Sequence, residues 1–580
     1  MTVDAANPAE EAAAKAWAAL KGHLDAGESF VFEAGAGAGK TYSLLETLDY
    51  LIARDGRRMV RSRQQIACIT FTNVARDNIL ARTDAHPSVF CETTHAFAWS
   101  LISGFQKQLR ATLPDLPGWE PLLADGPPLE ELTVEYALGR RAIEDGTALL
   151  HHDDIFPLTI HLLDSAKFRR LLASRFPIIL IDEYQDTNAD LVEAFATHFF
   201  GERGMPQFGL FGDHWQKIYG DGCGTVDHPA LKRVEKGANF RSAPVIVDCL
   251  NRVRPDLKQV PKDPAAKGTV SVYHTNGWVG KRRTNNHWQG DLPAEDARRA
   301  FLAAKQILGN DHGWNFDDAP STKVLMLTQR AVATGQGYAS LPSVFRFNDS
   351  FSRKRDEHLA FFIDHLEPAA EAFLLKRYGA MFAAIDTRAP TFKSPADKAS
   401  WASAMTKLCE LRASGTVGEV IAHLQEAGRP QLPSKLLQLN VELAQAVATG
   451  GELGTRQREL QALHTVRYAE VTELAEYHKG HSPFETKHGV KGEQFENVLV
   501  VFGRGWNEYD FKAFLEMSAR GVTEGEEYER YRNLFYVVCS RPKTNLALLF
   551  THELSPMAMG TLTDWFTGAD FFDLGPTIQQ

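Results

Sequence analysis

A loop of alternating Ala and Gly, residues 34–39, leads into Lys40-Thr41 and lies between an apolar run and an amphipathic run. The run before it, FVFEA, predicts a buried strand, and the apolar spacing from Leu44 to Ile52 predicts a helix after it. Small residues let the backbone curl around an anion, and the following helix directs the positive end of its dipole at that anion. The segment therefore predicts a phosphate-binding loop in an α/β core with a parallel sheet.

The residue types of this loop predict which groups bind phosphate and which bind the metal ion. The backbone around Ala34, Gly35, Gly37 and Gly39 would cradle the phosphates, with Ala34 at the position where the strict pattern has Gly. Lys40 would reach the β- and γ-phosphates, and the hydroxyl of Thr41 would ligate Mg²⁺. The alternative is a small-residue turn between strand and helix that binds no ligand.

A second segment, IILIDEYQDT, supplies the carboxylates that such a loop requires. Its apolar run predicts a fully buried strand with Asp182 and Glu183 at the carboxyl end, where open α/β sheets bind their ligands. Asp182 would hold the Mg²⁺ that Thr41 also serves, and Glu183 would polarise the attacking water. The alternative is a strand followed by a solvated acidic turn.

Composition excludes several other classes of protein. No apolar run approaches the roughly 18 residues of a membrane span, and the acidic, Ala-rich N-terminus is unlike a secretory signal, so we expect a cytoplasmic protein without membrane association. The six cysteines contain no C-x-x-C pair, which argues against a disulfide framework and a zinc site. A net charge of −10 disfavours bulk binding to nucleic acid, although the 63 Lys and Arg residues allow a local basic groove.

The order of apolar patterns along the 580 residues predicts several domains. Strand-like runs such as QFGLFGD, TVSVYH, KVLMLTQR and NVLVVFG alternate with helical ones, and two stretches have only helical or irregular spacing. We predict an α/β protein with two parallel-sheet cores, each interrupted by a mainly helical insertion. The first core is 1–100 and 166–235 with the insertion 101–165, and the second core is 236–348 and 477–580 with the insertion 349–476.

Together the segments resemble the motifs of a superfamily 1 DNA helicase of the UvrD/Rep type, from Phe30 to Phe550. AGAGAGKT resembles that family's phosphate loop, including the Ala at its first position, and CITFTNVARDNI and TTHAF resemble its motifs Ia and Ib. The resemblance implies two RecA-like cores, ATP and Mg²⁺ as cofactors, and single-stranded DNA along one face. By this resemblance the residues of motifs Ia and Ib that face DNA are Phe71, Thr72, Asn73, Thr94 and His95.

The remaining motifs follow in the family's order. LFGDHWQKIY resembles motif III, NFRSAPVIV motif IV, TKHGVKGEQFENVLVV motif V and RNLFYVVCSRPKTNLALLF motif VI. The resemblance implies that Gln216 senses the γ-phosphate and that Arg241 and Arg541, carried by the second core, contact it. It also implies a set of contacts with the strand and the nucleotide: Tyr219, Thr486 and His488 on DNA, and Phe240, Gly492 and Gln494 on the nucleotide. Because aromatic rings can stack on bases, Trp215 is a further and weaker candidate for a DNA contact. Taken singly, these could be core aromatics, buried histidines and surface charges.

The chain departs from the family's pattern at several positions. No Gln precedes Gln64, so the residue that usually reads adenine upstream of the loop is missing. Gly220, Asp221 and Gly222 replace an aromatic and an Arg after motif III, Gln494 replaces the usual Glu of motif V, and Pro542 follows Arg541. We therefore leave the selectivity for adenine open.

We expect an ATP hydrolase that translocates on single-stranded or forked DNA, by resemblance in the 3′ to 5′ direction, in repair or anti-phage defence. In its short insertions, and in lacking a nuclease-like segment after Phe550, the chain is similar to helicase subunits that work beside a separate nuclease. One example is the UvrD-like partner in Gabija-type systems. The alternative from another class is a nucleotide-regulated subunit that senses DNA ends and licenses a partner nuclease without processive unwinding. A third, weaker alternative is a nucleotide switch that binds no nucleic acid.

Overall fold

The computed structural model describes residues 7–137, 139–218, 220–284, 288–326, 329–385, 394–480, 483–486, 493–503 and 509–579. The chain divides into two compact units. Unit 1 comprises 1–270, 511–545 and 556–569, and unit 2 comprises 271–510, 546–555 and 570–580. We predicted Arg241 and Arg541 on the second core, whereas this division assigns both to the unit of the phosphate loop. The four predicted segments are a finer division, and their boundaries stay a prediction.

Seventeen strands are described. They are β1 (Phe30–Ala34), β2 (Ile66–Thr70), β3 (Val89–Thr93), β4 (Thr133–Tyr136), β5 (Ala142–Glu144), β6 (Thr147–Leu150), β7 (Ile178–Asp182), β8 (Gln207–Gly212), β9 (Lys232–Lys236), β10 (Ala238–Asn239), β11 (Val260–Pro261), β12 (Thr269–His274), β13 (Thr322–Met326), β14 (Phe484–Thr486), β15 (Phe495–Phe502), β16 (Pro542–Phe550) and β17 (Asp570–Asp573).

Twenty-six α-helices are described in the same residues. They are α1 (Pro8–Ala26), α2 (Lys40–Arg61), α3 (Asn73–Arg82), α4 (Thr94–Ile102), α5 (Gln106–Thr112), α6 (Glu120–Ala124), α7 (Ile155–Leu163), α8 (Ala166–Arg175), α9 (Ala189–Phe199), α10 (Pro244–Val253), α11 (Ala294–His312), α12 (Gln329–Gln336), α13 (Leu341–Val344), α14 (Asp349–Ser352), α15 (Glu357–Phe361), α16 (Glu367–Leu374), α17 (Tyr378–Ala384), α18 (Pro395–Ser414), α19 (Val417–Ala427), α20 (Ser434–Ala448), α21 (Thr455–His464), α22 (Tyr468–His478), α23 (Phe511–Ala519), α24 (Glu526–Cys539), α25 (Pro556–Trp565) and α26 (Gly575–Ile578).

Each unit is built on a six-stranded sheet. In unit 1 the order is β3-β2-β7-β8-β1-β9, and every neighbouring pair is parallel. The second sheet has the order β14-β13-β15-β16-β12-β17, with parallel pairing at β13–β14, β13–β15 and β12–β17. The predicted fold class, two RecA-like parallel-sheet cores with mainly helical insertions, is confirmed.

The central strands of the first sheet are covered on both faces. All five residues of β1 are buried, and so are all five of β7. Since successive side chains point to opposite faces, Phe30 and Phe32 join one apolar cluster with α2, whereas Val31 joins another with α4, α7 and α9. The carboxyl ends of β1, β7 and β8 therefore meet at one edge, where the polar residues of the site lie.

The insertion after α4 contains a small sheet that we did not predict. Strands β4, β6 and β5 pair in that order, with β5 and β6 antiparallel. Asp145 and Gly146 form the turn between them with φ of 46° and 76°. Asp-Gly is a hairpin signal because both residues tolerate positive φ.

Among the described residues, no helix combines the length and apolar character that a membrane span requires.

Candidate functional site

The phosphate loop has the backbone shape that its glycines allow. Gly37 and Gly39 have φ of 78° and 76°, and Gly39 caps the start of α2. A Cβ on Gly37 would lie 2.8 Å from the Cβ of Arg241 and 2.9 Å from the side chain of Asn239, so a larger residue has no room there. The loop is therefore pressed against the segment that follows β9, whose Phe240 N–H donates to the Gly37 carbonyl at 2.9 Å.

Lys40, the first residue of α2, pairs with one of the two predicted carboxylates. Its Nζ donates to Glu183 Oε2 at 2.7 Å. Burial disfavours the charge on Lys40, but Glu183, Asp213 and Asp182 together outweigh it and raise the pKa of the ammonium. Lys40 thus stays charged, as a group that neutralises phosphate must.

The two acidic residues at the end of β7 have different environments. Asp182 is buried at 5% exposure, whereas Glu183 is partly exposed and has a left-handed backbone with φ of 50°. That conformation is costly for a residue other than Gly, and such strain is concentrated at functional sites. It turns the chain sharply after the buried strand, so that Glu183 can meet Lys40 of the phosphate loop.

The predicted γ-phosphate sensor lies at the end of the next strand, β8. Gln216 is 5% exposed, donates to Asp213 Oδ2 at 2.7 Å and accepts from Arg541 Nη2 at 3.2 Å. Asp213 N–H in turn donates to Gln185 Oε1 at 3.0 Å, and Gln185 Nε2 donates to Glu183 Oε2 at 2.5 Å. One hydrogen-bonded chain therefore connects the carboxylate that would polarise water with the residue that would sense phosphate.

Two cations approach the same region: Arg541, which is 1% exposed, and Arg241, which is partly buried. Arg241 Nη1 donates to the Ser540 carbonyl at 2.8 Å, and Arg541 Nε donates to the Val537 carbonyl at 2.9 Å. Burial and then the like charge of Arg241 lower the pKa of Arg541 to about 9. Burial also lowers the pKa of Arg241, against the opposing influence of Tyr536 and Glu183. The two neighbouring positive charges repel each other. An anion bound beside both would stabilise their charged forms, so the site is suited to an anion.

Further predicted nucleotide contacts are only partly described. Phe240 is 37% exposed beside the loop. Gln494 is an exposed residue of unit 2, whereas Gly492, Tyr219 and His488 lie outside the described residues. Thr486 is the last residue of β14.

The predicted Mg²⁺ ligands have the right chemistry for a hard cation. Thr41 is exposed on the first turn of α2, and Asp182 offers a buried carboxylate. Mg²⁺ prefers oxygen ligands and keeps several waters, so a hydroxyl, a carboxylate and the phosphates are sufficient.

The predicted DNA contacts of motifs Ia and Ib line one cleft of about 970 Å³. Phe71 is 38% exposed there, the hydroxyl of Thr72 caps α3, and the hydroxyl of Thr94 donates to the Thr70 carbonyl at 3.3 Å. Asn73 and His95 also line the cleft. The structure thus brings all five predicted side chains together at the carboxyl ends of β2 and β3.

Sequence reasoning missed the aromatic residues that the insertion adds to this cleft. The ring of His152 stacks on His95 with centroids 3.4 Å apart, and Tyr136 and Phe156 complete the wall. Burial and then His152 lower the pKa of His95 to about 4, and burial lowers the pKa of His152, so both rings are neutral at pH 7. Neutral, stacked rings suit contact with the faces of bases.

The charges of the cleft are less favourable for phosphate. Among the described residues that line the cleft there are four aspartates and a single Lys or Arg residue, Arg76. Arg76 itself is paired with Asp77 at 2.8 Å and with Glu92 at 3.3 Å. The aspartates are Asp153, Asp186, Asp190 and Asp221.

A buried polar network behind the phosphate loop was also missed. Arg254 Nη1 donates to Asp213 Oδ1 at 2.6 Å, and His214 Nδ1 lies 3.3 Å from Glu33 Oε1, to which the Tyr184 hydroxyl also donates. Trp215, a weaker DNA candidate, is 7% exposed and lies beneath Arg254, so it is a core aromatic. The sequence did contain one signal of this network, since Glu33 is a single charged residue within an apolar run.

Comparison with known proteins agrees with this geometry. Residues 17–221, which contain the phosphate loop and the cleft, match the family model AAA_19, described as an AAA domain. The chain is 23% identical to Gabija protein GajB of Bacillus cereus (strain HuB5-5), in a match covering 93% of this chain and 95% of that protein. The predicted resemblance to a compact UvrD-like, Gabija-type helicase subunit is confirmed. The chain therefore has a helicase-like, nucleotide-binding domain of the ATPase type.

Proposed function

We propose that the chain is an ATP-dependent translocase or helicase that moves 3′ to 5′ on single-stranded DNA. The observation that carries the proposal is the pair of guanidinium groups, buried Arg541 and partly buried Arg241, beside a phosphate loop that already pairs Lys40 with Glu183. Placing two cations together away from water is costly, and an anion bound between them would offset that cost. A γ-phosphate supplies that anion, and contacts of this kind raise the rate of phosphoryl transfer by about 10³ to 10⁵.

The roles of the residues follow from their contacts. Lys40 binds the phosphates and leaves Glu183, which then accepts a proton from the attacking water. Gln216 exchanges its hydrogen bond with Arg541 for one with the phosphate, since both groups already meet at 3.2 Å. Mg²⁺ bound at Thr41 and Asp182 would neutralise charge on the phosphate oxygens.

One short segment connects the nucleotide with the DNA. Glu183 lies at the nucleotide, and Asp186, Thr187 and Asn188, three to five residues later, line the cleft of Phe71 and His95. Gln185 between them bonds both Glu183 and Asp213. Loss of the γ-phosphate would therefore alter the position of residues that line the cleft through one short backbone segment. This is how hydrolysis would drive stepping along the strand.

The first test is ATP hydrolysis by the full chain with and without single-stranded DNA. Glu183→Gln should abolish hydrolysis while nucleotide binding stays within a few-fold of the wild type, because the amide no longer accepts the proton. Glu193→Gln, on the exposed face of α9, is the matched control and should hydrolyse normally. Turnover that ignores single-stranded DNA, or that survives Glu183→Gln, would contradict the proposal.

The acidic lining of the cleft favours a second candidate, a subunit that senses DNA ends and licenses a separate nuclease in anti-phage defence. A weak grip on phosphate suits brief contact with an end better than processive unwinding. Strand displacement on forked DNA separates the two functions. Rapid unwinding by the isolated chain supports the motor, whereas DNA-stimulated hydrolysis without unwinding supports the licensing subunit.

A further inference from the structure

Gln259 is a buried amide that contacts the phosphate loop and that none of the predicted motifs uses. It directly precedes β11 and is 4% exposed. Its Nε2 donates to the Ala36 carbonyl of the loop at 3.1 Å, across 223 residues of sequence, and to the Ala238 carbonyl at 2.8 Å. Because both neighbours are acceptors, they determine which way the amide points and use both of its protons.

The loop is shaped around this contact. A Cβ on Gly35 would lie 2.8 Å from the amide carbon and nitrogen of Gln259, so a larger residue would displace the amide. Asn239 Nδ2 donates to the same Ala36 carbonyl at 3.2 Å and to Gln259 Oε1 at 3.3 Å. The backbone of Gln259 is anchored as well, since its N–H donates to Asn251 Oδ1 at 2.7 Å and its carbonyl accepts from Asn251 Nδ2 at 2.8 Å. Two anchored amides thus hold one carbonyl of the loop.

The direction of that carbonyl determines the direction of the next N–H group. In a planar trans peptide the carbonyl and the following N–H point in opposite directions. With the Ala36 carbonyl bound to Gln259 and Asn239, the Gly37 N–H therefore points away from both amides. Among the described residues, none accepts a hydrogen bond from this N–H. An unused backbone donor in such a loop is suited to a phosphate oxygen.

The residues of the loop do not fix this peptide by themselves. Gly37 has φ of 78°, and Gly adopts either sign of φ readily, so the peptide that joins it to Ala36 can turn over. That change would direct a carbonyl oxygen at the anion in place of an N–H. We propose that Gln259 is a positioning residue that holds the Ala36 carbonyl and thereby keeps the Gly37 N–H directed at the phosphates of a bound nucleotide. This inference rests on the proposed function, because it requires a nucleotide in the loop.

The test replaces Gln259 by Glu, which keeps the size of the side chain and removes its donors. A carboxylate cannot donate to the Ala36 carbonyl and repels its oxygen. We expect the affinity of the full chain for ADP with Mg²⁺, measured by calorimetry at pH 8.5, to fall at least tenfold. By contrast, kcat for ATP with single-stranded DNA should stay within threefold of the wild type, because a saturating nucleotide restores the orientation of the peptide.

A pH profile separates positioning from general damage to the fold. Burial raises the pKa of a carboxyl group, and the protonated group can again donate to the carbonyl. The ratio of the dissociation constant of Gln259→Glu to that of the wild type should therefore fall toward one between pH 8.5 and pH 6. The cations beside the loop are present in both proteins and cancel in this ratio; they are Lys40, Lys236, Arg241 and Arg541.

Two further variants control for chemistry and for charge. Gln207, at the amino end of β8, also donates its amide to two backbone carbonyls, those of His23 at 3.0 Å and Glu28 at 2.7 Å. Gln207→Glu is thus the matched control and should bind ADP as the wild type does. Gln259→Leu removes the donors without adding a charge, and it should bind ADP at least threefold more weakly at both pH values.

The outcomes distinguish this inference from the function on which it rests. If the wild type neither binds ADP nor hydrolyses ATP, the proposed function fails. If the wild type does both and Gln259→Glu binds ADP equally tightly at pH 8.5, the inference is overturned although the function stands. A loss of affinity that is the same at pH 6, or that Gln207→Glu shares, also overturns it. Gln259→Leu decides the question if Gln259→Glu does not fold, and unchanged binding in Gln259→Leu overturns the inference.

Discussion

Replacing Arg541 by Met should abolish turnover and yet leave the free protein about as stable as before. Arg541 is 1% exposed, and losing one partner of an ordinary buried ion pair costs about 3–5 kcal/mol. Arg541, however, has another cation as its neighbour. Burial and the charge of Arg241 lower its pKa to about 9, which corresponds to roughly 5 kcal/mol against the charged form in the free protein.

The hydrogen bonds of Arg541 oppose that penalty. Its guanidinium donates to the Val537 carbonyl at 2.9 Å, to Gln216 at 3.2 Å and to Ser540 at 3.0 Å. At about 1–1.5 kcal/mol each, these bonds contribute about 4 kcal/mol. Since the two quantities nearly cancel, Arg541→Met should change the free energy of unfolding by no more than about 2 kcal/mol, a shift of a few degrees in melting temperature.

Arg254→Met is the matched control because Arg254 is equally buried at 1% exposure. Burial opposes its charge, but Asp213 at 2.6 Å outweighs this and raises the pKa of Arg254. Its removal leaves Asp213 and Glu33 buried without their cation, so we expect a loss of about 3–5 kcal/mol.

The assays are thermal unfolding without nucleotide and steady-state hydrolysis with single-stranded DNA. Arg541→Met should hydrolyse at least about 10³-fold more slowly while melting near the wild type, and Arg254→Met should melt clearly lower. The reasoning is refuted if both variants lose the same stability, or if Arg541→Met keeps normal turnover.

Other expectations concern the DNA cleft, the lysine that lies beside the first residue of the phosphate loop, and the metal. His152→Ala should weaken binding of single-stranded DNA roughly tenfold, since a stacked base is worth about 1–3 kcal/mol; unchanged anisotropy titrations would exclude the insertion from the DNA path. Lys236 loses its proton above about pH 8, and a nucleotide that needs the charged form must then take up a proton on binding. Calorimetry should therefore show wild-type affinity falling up to about tenfold per pH unit above pH 8, and a smaller fall in Lys236→Met, in which Arg541, with a pKa of about 9, still titrates. Chelating Mg²⁺ should stop hydrolysis, and Asp182→Asn should raise the Mg²⁺ concentration required; an unchanged requirement would remove Asp182 from the metal site.

The sequence alone was sufficient to predict site residues wherever those residues lie in one continuous segment. The loop ending at Lys40 and the strand ending at Asp182 and Glu183 carry their own strand, turn and helix signals. Their side chains meet because β7 and β1 are parallel strands separated only by β8, an arrangement that the α/β pattern implies. The Lys40–Glu183 pair could therefore be expected from the chain's pattern alone.

Residues whose partners are distant in sequence could not be found in the same way. Glu33 is a single charge within an apolar run, and Arg254 directly follows α10; their partners Tyr184 and Asp213 lie 151 and 41 residues away. Nothing local indicates that such groups are buried, because only the strand order brings them together. The β5–β6 hairpin is different, since its Asp145-Gly146 signal was present and was overlooked among the prolines of that insertion.

The acidic lining of the cleft has a consequence for how the protein responds to salt. Binding of nucleic acid weakens with added salt in proportion to the number of phosphates that Lys and Arg neutralise, because each such contact releases counterions. A strand lying in this cleft would be held by ring faces beside four aspartates and by few cations. The affinity of this cleft for a strand should thus change little across physiological ionic strengths.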